Sequence, residues 1–279
     1  MIGENGLPIP LRGQLELPET GIHLWRTRPQ DCLDSDLLAR YQELLTEPEK
    51  AKQQRYKFEK DRHSALVTRA FVRDLLSTYA DVEPADWRME IGPKGKPELQ
   101  NSPVPLRFNL SHTPGLIICA VTPVYDIGCD VEALGRRSDI LTIADHYFSS
   151  QEVQELFSLP QEQQRSRFFD YWTLKESYIK ARGLGLFALP LQSFSFAIGR
   201  AATPAVNSNV RLSFSQDIDD EPGLWSSWIF YPSQEHRIAL SISTGRSEGD
   251  RRLSPQDYTI RHFETVPLSF KRELSASGL

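Results

Sequence analysis

The 279-residue chain has no apolar run near the roughly 18 residues that a membrane-crossing helix needs, so none is expected. Its first residues, MIGENGLPIP, lack a basic stretch and an apolar stretch, so a secretory signal is not expected either. Positive charge is not in excess. Against 32 Lys and Arg stand 37 Asp and Glu, a net charge of −5, which gives no general reason to expect nucleic-acid binding. Cysteine is scarce. Cys32, Cys119 and Cys129 are odd in number and show no CxxC spacing, which fits reduced thiols in a cytosolic protein. Cys119 and Cys129 lie in apolar runs and read as small core residues. No short-period repeat is visible. The GxxxxGK[ST] spacing of a Walker loop is absent. What is present is 39% hydrophobic and 25% charged residues, the balance of a globular chain long enough for two halves around a shared core.

Residues 1–20 mix prolines and glycines without periodicity and read as a loose arm. Residues 22–25 predict a short strand. Residues 37–45 predict a helix begun near Ser35, and Pro48 is placed to open the next. Residues 49–80 carry the longest helical pattern of the first half. Val67, Phe71 and Leu75 form one i, i+4 row, and Val72 and Leu76 form another, which marks a core face. A second stripe holds Arg55, Arg62, Arg69 and Arg73. It reads either as a solvated face paired with acids or as a polyanion site, since guanidinium groups favour bidentate phosphate contacts. Lys52, Lys57 and Lys60 add positive charge there.

The segment MEIGPKGKPEL, residues 89–99, is rich in turn signals and puts Lys94 and Lys96 on backbone able to approach a ligand. Residues 106–110 and 116–122 predict two strands around a turn, SHTPG, that carries Ser111 and His112. IGCDVE, residues 127–132, predicts an apolar strand ending in Asp130 and Glu132. Two apart on a strand, both carboxylates point to one face. They repel unless a cation sits between them, and hard oxygen donors suit Mg²⁺ or Mn²⁺. The alternative is an exposed strand end. Ser149 and Glu152 fit a capping box opening a helix to about Phe157, and Pro160 stops it and starts the next. Residues 191–198, 210–214, 225–231 and 238–242 predict further strands of an antiparallel sheet. From Gly245 the polar chain reads as a surface tail.

WTLKESYIKARGLGL, residues 172–186, predicts the last turns of a helix. Trp172, Glu176, Ile179, Lys180 and Gly183 share one face, and Gly183 stops the helix. An acid and a lysine at i, i+4 beside an aromatic stand where a plain amphipathic helix carries Leu or Val. Taken alone, they read equally as a surface ion pair or as a functional face.

These segments, with GKP at residues 95–97 and FNLSHT at 108–113, occur in the order found in the Sfp-type 4′-phosphopantetheinyl transferases. The chain resembles that family over roughly residues 50–200. The resemblance implies an α+β fold of two similar halves related by a pseudo-twofold axis. Each half is a small, mostly antiparallel sheet with a long helix, and the active site lies between them. The implied divisions are the arm 1–20, a coenzyme A-binding half 21–125, a half 126–245 with the metal site and the WxxKExxxK helix, and the tail 246–279. The implied reaction moves the 4′-phosphopantetheine group of coenzyme A onto a serine of an apo carrier protein (acyl, peptidyl or polyketide), as a holo-[acyl-carrier-protein] synthase does. It releases 3′,5′-ADP and needs Mg²⁺, with Mn²⁺ as an alternative.

By the same resemblance Asp130, Glu132 and Glu176 match metal ligands, and Glu176 also a base for the carrier serine. Lys180 matches a lysine near the pyrophosphate and leaving group. Lys96, Pro97, Ser111 and His112 match residues that hold coenzyme A, and Arg69, Lys52 and Arg62 match phosphate contacts on the helix side. No key motif position is lost. A cytoplasmic monomer without nucleic-acid or membrane partners is implied. Two rival functions are a metal-dependent phosphohydrolase, distinguished by its product, and a non-catalytic binder, which has no need of three convergent carboxylates.

Overall fold

A computed structural model of the chain describes residues 12–13, 15–92, 95–185, 189–215, 218–245 and 252–275. The expectations for Lys94, for most of the arm and for the first residues of the tail lie outside these. Strand β1 (Gly21–Thr27) is followed by α1 (Ser35–Leu44), which Asp34 caps by accepting the Leu37 N–H at 2.8 Å. Thr46 and Glu49 close a capping box on α2 (Glu47–Gln54), with Pro48 in the first turn, where a missing N–H does no harm. The single helix expected over 49–80 is therefore two. A turn at 55–58 separates α2 from α3 (Glu59–Leu76), and Arg62 holds that turn by donating to the Tyr56 and Lys57 carbonyls. Arg55 thereby leaves the arginine stripe.

A small hairpin of β2 (Met89–Ile91) and β3 (Pro97–Leu99) leads to β4 (Arg107–Thr113), β5 (Leu116–Thr122) and β6 (Asp126–Ala133). Ser111 and His112 lie on β4 rather than in the turn, which is made at Pro114 and Gly115, the latter with φ 84°. Asp130 lies inside β6 rather than at its end, and is buried. Then come α4 (Ile140–Tyr147), α5 (Ser150–Ser158) with its Ser149–Glu152 capping box, and α6 (Gln161–Ala181) after Pro160. Gly183, at φ 63°, ends α6 as expected. The Gly183 and Leu184 N–H groups bond to the Lys180 and Ile179 carbonyls, a Schellman arrangement. Strands β7 (Phe194–Ile198), β8 (Val206–Asn207), β9 (Val210–Phe214), β10 (Trp225–Phe230), β11 (His236–Ser243), β12 (Thr259–Val266) and β13 (Phe270–Leu274) complete the chain.

The strands form a five-stranded sheet, β13-β12-β1-β5-β4, and a four-stranded sheet, β6-β11-β10-β8, beside the pairs β2-β3 and β7-β9. Within the two larger sheets β1 and β12 pair in parallel and the other pairings are antiparallel. The α+β expectation holds: α3 packs on the first sheet and α6 on the second. The single sheet expected for residues 191–242 is two, because β7 and β9 pair apart from β10 and β11. The tail expectation fails. β12 and β13 are strands of the first sheet, with β12 beside β1. Their sequence looks polar because its charges pair with one another, as Arg261 does with Glu273 and Arg272 with Glu264, while Phe263 is fully buried against Trp25. The described end of the arm docks too: the Gly13 and Leu15 N–H groups bond to the Ser77 and Thr78 carbonyls.

Helices α1 and α3 cover the outer face of the first sheet, against Trp25, Ile117 and Phe263. The inner faces of the two sheets meet through Ile22, Leu24, Ile118, Cys129, Val131 and Leu240. Helices α5 and α6 cover the outer face of the second sheet. Cys32, Cys119 and Cys129 are free, buried thiols within this frame. At Gly128 the helix α6 touches β6 with no side chain between them. A Cβ there would lie 2.0 Å from the Ser177 carbonyl oxygen and 2.3 Å from the Ala181 nitrogen.

Two predictions follow from this packing. Gly128→Ala forces α6 off β6, and overpacking of this kind destabilises by about 1–3 kcal/mol or more. A chemical-denaturation midpoint equal to that of the wild type would refute the close contact. The second concerns His23 and His262, both buried in the first sheet. Burial, then Arg261, pushes the pKa of His23 from 6.5 down to about 3, and burial, then Arg26, pushes that of His262 down to about 4. Below about 6.5 the unfolded chain binds protons that the folded chain refuses, so stability is lost as pH falls from there towards 4, by up to about 1.4 kcal/mol per pH unit for each ring. His262→Gln should lower the slope of unfolding free energy against pH by about one proton in that window. An unchanged slope would show that His262 charges freely in the folded state.

Candidate active site

β4, β6 and the last turns of α6 converge at one corner. Lys180 Nζ stands 2.6 Å from Asp130 Oδ1 and 3.0 Å from Ser111 Oγ, and the Ser111 hydroxyl donates to the same Asp130 oxygen at 2.8 Å. Asp130 Oδ2 is buried and has no partner among the described residues. Glu176 lies one turn before Lys180. Burial, then Asp130, raises its pKa to about 7, with Glu132 adding and Lys180 opposing. Glu132 is also raised, by burial and then by Asp130. Arg136 (3.5 Å), Lys180 and a hydrogen bond with Trp172 hold it back. Burial opposes the charge on Lys180, yet Asp130, then Cys129 and Glu176, outweigh it and its pKa lies above the ordinary value. Two glutamates whose pKa values are raised by the same aspartate belong to a group short of positive charge. Among the described residues no three side chains already close as a metal cage. Lys180 takes the place beside Oδ1, and Oδ2 is the oxygen left over. An all-oxygen donor set with one orphaned, buried carboxylate oxygen fits a hard divalent cation.

The groups matched to coenzyme A are brought together in part. His112 is at the solvent rim, its pKa lowered first by the surrounding protein and then by Lys180, with Arg69 adding. Lys96 Nζ donates to the Ile127 carbonyl at 3.4 Å, and burial lowers its pKa. Pro97 lines both of two clefts, and Lys96 lines the second. One, of about 710 Å³, is lined by Lys52, Arg69, Arg73, Trp87, Met89 and Pro97. The other, of about 760 Å³, is lined by Lys96, Leu99, Val104, Arg107, Val124 and Arg182. In the first, Glu49 lies 2.9 Å from Arg73 and 3.6 Å from Arg69. Arg73 is 2% exposed, and its Nε and Nη1 have no partner. The arginine stripe is thus no solvated face at Arg73. Arg62 does not join this cleft, because its guanidinium is committed to the carbonyls of the 55–58 turn.

Residues 126–241 match the 4′-phosphopantetheinyl transferase superfamily, and residues 32–124 match the 4′-phosphopantetheinyl transferase N-terminal family. The chain is 37% identical over 194 residues to the 4′-phosphopantetheinyl transferase HetI of Nostoc sp., a match spanning 68% of this chain and 79% of that one. It is 33% identical over 156 residues to the 4′-phosphopantetheinyl transferase Sfp of Bacillus subtilis, spanning 56% of this chain and 67% of Sfp. The chain belongs to the Sfp-type 4′-phosphopantetheinyl transferase family. A phosphopantetheinyl transferase of Thraustochytrium sp. is 28% identical over 252 residues, 84% of this chain and 82% of its own. No helix among the described residues is long and apolar enough to cross a membrane.

Sequence reasoning assigned nothing to Lys175 of the family's WxxKExxxK helix. Its side chain is fully buried. Nζ lies 2.8 Å from Glu152, donates to the Leu191 and Phe194 carbonyls at 2.7 Å each, and sits 4.4 Å from the Phe194 ring centre. Glu152 in turn accepts from the Ser149 and Phe196 N–H groups. No local signal marks this lysine as buried. Asn109 and Thr113 were also passed over. Asn109 Oδ1 accepts the Cys129 N–H at 2.8 Å, and Thr113 Oγ1 accepts the Ala133 N–H at 3.1 Å. Here a signal existed: Asn109, Ser111 and Thr113 alternate along FNLSHT, so one face of that strand is polar.

Lys175→Met should destabilise the fold by about 3–5 kcal/mol, because it strands the buried Glu152 carboxylate. Adding Glu152→Gln to it should restore part of that loss in denaturant titrations. A double variant as unstable as the sum of both singles would mean that the two charges do not act as a pair.

Proposed function

We propose that the protein transfers the 4′-phosphopantetheine group of coenzyme A to a serine of an apo carrier protein and releases 3′,5′-ADP. A Mg²⁺ ion would be held by Asp130 and Glu176, with Glu132 bound directly or through water; Mn²⁺ is a substitute. The observation that carries this reading is the acidic corner, with its orphaned Asp130 Oδ2, standing next to a cleft lined by Lys52, Arg69 and Arg73. A pyrophosphate with a divalent cation satisfies both at once. The relatives' names, each a phosphopantetheinyl transferase, support the same reaction.

When bound, the cation neutralises pyrophosphate charge and acidifies the attacking hydroxyl. Phosphoryl transfer otherwise needs positioning and countercharge more than covalent help. Arg69 and Lys52, with Arg73 behind them, counter the 3′-phosphate. Lys96, Ser111 and His112 hold the pyrophosphate side. Glu176 takes the serine proton as the new O–P bond forms, and Lys180 steadies the charge on 3′,5′-ADP as the old P–O bond breaks. The working protein is taken to be a cytoplasmic monomer whose partners are coenzyme A and acyl, peptidyl or polyketide carrier domains.

Intact-mass analysis of apo-carriers incubated with coenzyme A, Mg²⁺ and the protein should show the carrier gaining one phosphopantetheinyl group. Free phosphopantetheine made without any carrier would make the protein a hydrolase instead. A wild-type rate in excess chelator would remove the metal from the mechanism. Glu176→Gln should lower kcat by roughly 10²–10⁴ and disturb coenzyme A affinity much less. If it instead loses coenzyme A and regains full rate at high Mg²⁺, Glu176 is a ligand only.

A further inference from the structure

β4 and β6 lie side by side yet belong to different sheets, and their main chains do not pair. Three β4 side chains bridge the gap instead. Asn109 Oδ1 accepts the Cys129 N–H at 2.8 Å, Ser111 Oγ the Val131 N–H at 3.3 Å, and Thr113 Oγ1 the Ala133 N–H at 3.1 Å. Each donor lies 20 residues beyond its acceptor, so the two strands run parallel and in step. The acceptors share one face of β4 and the donors one edge of β6. Asp130 sits between the first two rungs and Glu132 between the second and third.

The rungs are not equivalent. Ser111 also bonds Asp130 and Lys180, so it belongs to the site itself. Asn109 is buried, and its backbone carbonyl also accepts from Cys129 Sγ at 3.1 Å. Neither Asn109 nor Thr113 bonds to Asp130, Glu132, Glu176 or Lys180. In an ordinary sheet a main-chain carbonyl would take these N–H groups, and backbone geometry would hold the strands about 4.8 Å apart. Here side-chain length sets the separation. Asparagine reaches one bond farther than serine or threonine, so its rung spans the gap with a longer arm. Just beyond it, Lys96 Nζ reaches the Ile127 carbonyl on the same edge of β6.

Resting on the transferase reading of the corner, we propose that Asn109 is a positioning residue for the metal ligands. Its carboxamide sets the spacing of β6 from β4 and so places Asp130 between Ser111, Lys180 and Glu176, and Thr113 does the same at the Glu132 end. Without the Asn109 acceptor the Cys129 N–H is left buried and unpaired, and β6 shifts to satisfy it.

The test is Mn²⁺ binding in the presence of coenzyme A, read from the electron paramagnetic resonance signal of the free ion, on folded wild-type, Asn109→Ala and Thr113→Val proteins. Asn109→Ala should weaken Mn²⁺ binding by about 10–100-fold, the range for partners standing behind metal ligands. Thr113→Val should shift it less, in the same direction. In the transfer assay half-saturation by Mg²⁺ should rise in parallel, with the KM for coenzyme A little changed. Lower melting temperatures with an unchanged Mn²⁺ affinity would overturn the proposal and leave the rungs as fold contacts alone. If Asn109→Ala does not fold, the half-buried, isosteric Thr113→Val decides on the same criterion. A wild-type protein that transfers nothing and binds no Mn²⁺ would overturn the reading of the corner and this proposal with it.

Discussion

Helix α6 rests on strand β6 at Gly128 with nothing but backbone between them, and the corner that holds the acids depends on that contact. Layers packed through ordinary side chains stand well apart, about 10 Å for two stacked sheets. Here the missing Cβ lets the helix sink. Ser177 and Ala181 then lie against β6, and Lys180, on the turn between them, falls 2.6 Å from Asp130 two residues along the strand. Glu176 comes with it, one turn earlier on the same helix. The site is therefore a by-product of how closely two elements approach, and the residue that permits it carries no functional group.

Buried ion pairs fix which elements dock where. Lys175 and Glu152 tie α6 to α5, Lys271 and Asp74 (2.9 Å) tie β13 to α3, and Arg237 and Asp170 (2.6 Å) tie β11 to α6. Desolvation consumes most of the Coulomb attraction in such pairs, so they add little stability over an apolar substitute. A mispaired arrangement, however, leaves a bare charge in the interior and is strongly disfavoured. The C-terminal strands are positioned by this means as well as covered by hydrophobic burial, for the Lys271 side chain is fully buried against Asp74.

The corner and the neighbouring cleft obey the opposite rule. Asp130, Glu132 and Glu176 crowd one another, with Lys180 beside Asp130 and Arg136 beside Glu132 as counter-charge, and burial and repulsion raise the pKa of both glutamates. Next door two buried guanidinium nitrogens of Arg73 have no acceptor among the described residues, and Glu49 lies between Arg73 and Arg69. The corner is thus rich in carboxylates and the cleft beside it rich in arginine. A ligand that brings its own anionic groups and a divalent cation relieves both.

Much of this was legible in the sequence because it is written in near neighbours. The Ser149–Glu152 capping box, the Gly183 stop, the apolar runs of β5 and β6 and the i, i+4 face of Glu176 and Lys180 each depend on residues within a turn or two, and the chain folds there as its local pattern dictates. The motif order carried the family. What remained hidden depends on distant partners. Strand β12 is polar on its own and becomes a strand of the first sheet by pairing in parallel with β1, 238 residues earlier. Arg62 was a reasonable phosphate contact until the chain turned at 55–58 and used it there. Lys175 looks like any surface lysine until Glu152 and two carbonyls enclose it, and Asn109 like any strand asparagine until β6 arrives beside it. Periodicity and capping are decided by sequence-local sterics and hydrogen bonds. Which polar group is buried, and against what, is decided by how the layers meet, and that only the tertiary structure settles.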